Sequence, residues 1–201
     1  MRPMDEATAV ENYILAFIDA PDSEGRRGSL RGRTLLQKLM FHLRKSLESV
    51  PGKEFPHFYG PFDEFAHVVL EQLETSGYIR SEPPTISLTD KGEREARSVW
   101  NAFGPAERKA IQQLKAFLGD LTSDEILAIT YAQYPEVASD SLVRDDLARR
   151  GRSIAVRLVR RGKVSPELGA RIAGMSLREF LKHLSRQGIP VVEAGPASPR
   201  A

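Results

Sequence analysis

Apolar residues recur at three- and four-residue spacing along nearly the whole chain, and that period is what a helix with one buried face requires. Val10, Tyr13, Ile14, Phe17 and Ile18 share one face, and Leu35, Leu36, Leu39, Met40 and Leu43 share another. A third stripe runs through Phe62, Phe65, Ala66, Val69, Leu70 and Leu73, with Pro61 suited to a first helical turn and Gly77 to the end. One stretch breaks the rule: "YIRSEPPTISL" at 78–88 reads as strand, proline turn and strand. Helical patterns then resume over 90–101, 105–118, 122–132, 142–149 and 153–161, with Gly151 read as the stop of the fourth of these. Asp90 with Glu93 and Thr122 with Glu125 have capping-box spacing. The chain is therefore expected to be mainly α.

Three helices, a two-stranded hairpin and a fourth helix follow one another in the order of a winged helix-turn-helix, the hairpin being the wing. This unit is expected over 1–101, with 102–150 as a helical extension, 151–192 as a second helical module and 193–201 as a flexible tail. "PDSEGRRGSLRGR" at 21–33 reads as a loop. Trp100 is expected to anchor the first unit to the later helices.

The second module contains a helical corner. In "SPELGARIAGMSLREF" (165–180), Ser165 can cap a helix that Pro166 begins, Gly174 permits a sharp turn, and Ser176 with Glu179 can cap the next helix. Ala170, Gly174 and Phe180 have helix-turn-helix spacing, with Phe180, Leu181 and Leu184 facing inward. Arg178, Lys182 and Arg186 then share the outer face, where they could meet phosphates or guanine edges. Arg157, Arg160, Arg161 and Lys163, just upstream, are candidate clamps on a DNA backbone.

Charge divides the chain in the same place. Residues 1–140 hold 16 Lys+Arg against 22 Asp+Glu, a net −6, and residues 141–201 hold 13 against 5, a net +8. A basic segment of this density attracts phosphates and releases their counterions. The bland alternative is that these arginines pair with acids of the first part.

Two resemblances bear on the reading. "IAVRLVRRGKVSPELGARIAGMSLREFLKHLSRQGIPVV", through "AVRL", "GKVS", "AGMS", "EFL" and "GIPV", resembles a small prokaryotic family of antitoxin-like helix-turn-helix proteins (about 153–192). "LLQKLMFHL", "FYGPFDEF", "LEQLETSGYI", "LTDKG" and "YAQYPEVASDS" (about 35–141) resemble prokaryotic winged-helix proteins and, more distantly, the Panacea antitoxin domain. The first resemblance implies DNA binding or toxin–antitoxin regulation. The second implies that the winged helix contacts a toxin and need not bind DNA.

The residues agree with caution about the first module. The outer face of its third helix is expected to carry Asp63, Glu64, His67, Glu71 and Glu74, and carboxylates there would repel phosphates. Asp63, Glu64, Glu71 and Glu74 are instead a candidate face for a basic protein partner. Arg26, Arg27, Arg31, Arg33 and Lys38 are the candidate additional nucleic-acid contacts of this module.

The chain has no cysteine, so disulfides and thiolate zinc sites are excluded. Phosphate-cradling, dinucleotide and serine-nucleophile motifs are missing. Asp63, His67 and Glu71 have the spacing of oxygen and nitrogen metal ligands but lack a clear fourth partner, and His57 reads as packing. No apolar run reaches bilayer length, and the N-terminus is acidic where a secretory signal would be basic. The expectation is a cytoplasmic, non-catalytic, homodimeric regulator that binds double-stranded DNA without cofactor or metal. The alternative is an antitoxin-type module that neutralises a toxin or other basic protein.

Overall fold

A computed structural model describes residues 5–190, so the expected tail at 193–201 lies outside the described residues. The described chain is mainly helical, with a small antiparallel sheet. Its elements are α1 (Glu6–Asp19), β1 (Ser29–Leu30), α2 (Gly32–Ser46), α3 (Glu64–Thr75), β2 (Ile79–Glu82), β3 (Thr85–Leu88), α4 (Asp90–Ala102), α5 (Pro105–Leu118), α6 (Ser123–Gln133), α7 (Arg144–Arg160), α8 (Pro166–Ala173) and α9 (Leu177–Arg186). A short 3-10 turn, Pro135–Ala138, links α6 to α7.

α1 is the axis of the first half. Its later turns are buried on every side, Ile14 to Ile18 included, as expected of a helix surrounded by others. It packs against α2, α3, α4, α5 and the sheet. Tyr13 stacks on Phe103 at 4.9 Å and donates to Glu107 Oε1 at 3.0 Å. Glu107 also accepts from Gly104 N–H at 2.8 Å, so one carboxylate caps α5 and fastens it to α1.

The hairpin forms where expected, with Ile79 paired to Leu88 and Glu82 to Thr85. A third strand joins it. Residues 29–30 of the supposed loop pair with β3 in the register Ser29↔Ser87 and Leu30↔Ile86, giving the order β1-β3-β2. Buried Leu30 is the reason: its side chain enters the core and brings the backbone alongside β3.

Three further expectations are corrected. α3 begins at Glu64, not Pro61, because Asp63 accepts from Ala66 N–H as its N-cap; Phe65 then faces outward. α4 is capped by Thr89, which accepts from Gly92 N–H, rather than by Asp90. The helices expected over 142–149 and 153–161 are one continuous α7. Gly151 does not stop it. There α8 crosses so closely that a Cβ would press on Ile172 O.

The apolar core is continuous from Val10 to Ile189, and half-buried Trp100 packs against it. The segments expected as separate modules, 1–101, 102–150 and 151–192, thus share one core. No described helix is long and apolar enough to cross a membrane.

Candidate nucleic-acid interface

The corner at 165–186 is built as its residues imply. Ser165 accepts from Leu168 N–H at 3.3 Å and caps α8. Gly174 takes the left-handed conformation, φ 61° and ψ 34°, which a side chain would disfavour. Ser176 and Glu179 close a reciprocal capping box on α9, with Ser176 N–H donating to Glu179 Oε2 at 3.1 Å. Phe180 and Leu184 are fully buried and lock α9 down, with Leu181 half-buried. Ala170 is buried, and Gly169 beside it is a close contact as well: a Cβ there would lie 2.7 Å from the Phe180 ring and 2.8 Å from Val159.

The seven basic residues of this region divide into two groups. Arg178, Lys182 and Arg186 lie exposed on the outer face of α9, and none forms an ion pair within the described residues; the same holds for Arg160 on α7. Arg157, Arg161 and Lys163 are engaged. Arg157 and Arg161 reach Glu125 at 3.4 and 3.3 Å, and Arg161 and Lys163 reach Asp120 at 3.4 and 2.9 Å. Burial works to raise the Glu125 pKa, but hydrogen bonds from Thr122 and Arg157 and the Arg161 charge hold it below the usual carboxylate range. These three residues pair with acids of the preceding part.

Sequence reasoning missed Arg149 and Arg152. They line a groove of about 590 Å³ between α7 and α9, together with Arg157, His183 and Gln187. Their i, i+3 spacing was a readable signal, but an expected stop at Gly151 hid it.

The first module offers less free charge than expected. Arg26 pairs with Asp22 and Glu24, Arg27 with Asp19 at 2.5 Å, and Arg31 donates to the Leu121 carbonyl. Arg33 pairs with Glu71 and Glu74 at 3.3 and 2.8 Å, so its single charge is shared between two carboxylates of the expected acidic face. Lys38 is only 3% exposed and donates to Pro61 O at 2.7 Å, so it cannot touch DNA. Asp63 is only 2% exposed, caps α3 and pairs with Arg44, so it cannot belong to a partner face; only Glu64 of that set is exposed without an ion pair. Among the described residues no group of three or more His, Asp and Glu could hold a metal ion.

What the first module does expose is apolar. Phe55, Phe58 and Tyr59 of the 53–62 loop and Phe65 and Val68 of α3 are all open to solvent. No protein-family model and no curated protein matches the chain, so the resemblances rest on the quoted motifs alone.

Proposed function

We propose that the chain binds double-stranded DNA through the α8–α9 corner and acts as a non-catalytic transcriptional regulator. One observation carries this reading: a tightly capped helix, held by a glycine turn, presents Arg178, Lys182 and Arg186 on its outer face with no carboxylate paired to any of them. A second helix of a corner presented this way fits the major groove. In this reading Arg152 and Arg160 are the backbone clamps, with Arg149 beside them paired on the surface to Asp146 at 3.5 Å, while Arg157, Arg161 and Lys163 fix the module to α5 and α6. α1 to α3 with the β2–β3 hairpin form a winged helix whose third helix does not read bases. A homodimer would place two corners about 34 Å apart, matching successive turns of one groove.

Fluorescence anisotropy with a mixed-sequence duplex tests this across about 50–200 mM salt. Binding should weaken steeply with salt, and changing Arg178, Lys182 and Arg186 to Ala should reduce the logarithmic salt slope by about 3. Absence of binding at the lowest salt would sink the proposal.

The antitoxin-type reading keeps one specific support, the exposed aromatic loop, since an exposed apolar patch marks contact with another macromolecule. Its partner would be held by Phe55 and Phe58 rather than by the acidic face. A chain that binds no DNA, but whose association with a candidate toxin is lost in Phe55→Ser/Phe58→Ser, would favour it.

A further inference from the structure

We propose that the cavity between α2 and the 57–62 loop binds a small single-ring carboxylate, with the Lys38 ammonium as its counter-ion. The inference goes beyond DNA binding and does not rest on it.

The two buried lysines of the chain make the case by contrast. Lys115 donates to three carbonyls, those of Ile18 at 2.8 Å, Ala20 at 2.6 Å and Ser29 at 2.9 Å. Its three ammonium protons are matched one for one. Lys38 is as deeply buried, yet its one hydrogen bond goes to Pro61 O, and no carboxylate pairs with it. A buried cation left this incompletely met is destabilising, and such groups concentrate at binding sites.

Lys38 lines a cavity of about 210 Å³. Three rings form a continuous wall of it: His57 and Phe62 lie 5.2 Å apart and Phe62 and His67 5.7 Å apart, with Tyr59 at the mouth. A flat ring fits such a wall. Two of the polar neighbours are committed, and Thr34, His57 and Tyr59 add further polar groups to the lining. Gln37 bonds both N–H and C=O of Asp63, and Arg33 is held by Glu71 and Glu74. Lys38 is the buried lysine of this lining and carries no paired carboxylate, and its charge selects an anion. The volume is below the ~300 Å³ of drug-sized sites, which limits the ligand to one ring and a short acid group. Burial lowers the Lys38 pKa to about 8, which leaves the ammonium largely protonated at neutral pH.

Isothermal titration of the full chain with benzoate, benzamide and acetate tests the proposal without DNA, so it fails or stands apart from the regulatory reading. Benzoate should bind saturably, and the neutral benzamide and ringless acetate at least about tenfold more weakly. Lys38→Met should weaken benzoate about tenfold or more while leaving thermal stability equal or higher, because it removes a poorly met buried charge. Tyr59→Ala, at an exposed position, should weaken benzoate severalfold and so place the binding in this cavity. Equal affinity for benzoate and benzamide, no benzoate binding up to about 10 mM, or unchanged binding in both variants would overturn it. The wild-type comparison and Tyr59→Ala decide the matter should Lys38→Met fail to fold.

Discussion

Lys115 and His42 show what a single side chain can be asked to do in a core this size. Lys115 sits on α5 but serves the end of α1, whose last carbonyls have no partner within their own helix. Lys115→Met should cost about 2–4 kcal/mol in urea unfolding, since it strands three carbonyls at once. The same change at Lys38 strands one carbonyl but also removes a buried charge that nothing else meets, so the two effects offset. His42, on α2, meets Thr130 Oγ1 at 3.0 Å, and burial, with the nearby Lys38 charge, pushes its pKa from 6.5 down to about 4. The unfolded chain therefore binds a proton that the folded chain refuses between those values, and stability falls as pH drops from about 6.5 toward 4. The loss from this group is on the order of 3 kcal/mol, and His42→Gln should flatten the urea midpoint across that window. None of these roles was readable in the sequence. Lys115 is 97 residues from Ile18 and His42 is 88 from Thr130, and no local pattern carries pairings at that separation.

At the scale of elements, what was legible is what local chemistry decides. The boxes at Thr122 and Glu125 and at Ser176 and Glu179, the Ser165–Pro166 start and the proline turn between β2 and β3 all depend on residues within a few positions of one another. What was not legible depends on neighbours from elsewhere. β1 exists because β3 offers an edge, and α7 runs through Gly151 because α8 needs the space of a missing Cβ. In isolation a glycine at that position reads as a stop; against α8 it reads as a crossing point. Gly151→Ala separates the two meanings. In a free helix it would stabilise by about 1 kcal/mol. Here the new methyl meets the Ile172 carbonyl, and a loss of about 1–3 kcal/mol in thermal or urea unfolding is expected. A gain in stability would mean that α7 and α8 are less closely apposed than the structure places them.

Across the whole molecule, the charge division read from composition is real, but composition does not say which charges are free. Arg178, Lys182 and Arg186 were identifiable because their four-residue spacing sets them on one face and because their neighbours on α9 are buried. Arg157, Arg161 and Lys163 had the same appearance, and only the fold brings Glu125 and Asp120 against them. Glu125 thus joins the two charge territories, and it does so with a residue already occupied in capping α6 through Thr122. Glu125→Gln separates these duties, because glutamine can still accept from the Thr122 N–H. The cap survives, the negative charge goes, and Arg157 is released, while Arg161 keeps Asp120. The variant should stay folded, with less stability lost on acidification than the wild type, since the depressed Glu125 pKa contributes stability at neutral pH that disappears as pH falls through the carboxylate range. If DNA docks on this face, one more cation, Arg157, becomes available to phosphates. The logarithmic salt slope of DNA binding should then steepen by up to about 1. A slope that stays the same, in a folded variant that binds DNA, would place Arg157 off the DNA path and confine the interface to the outer face of α9.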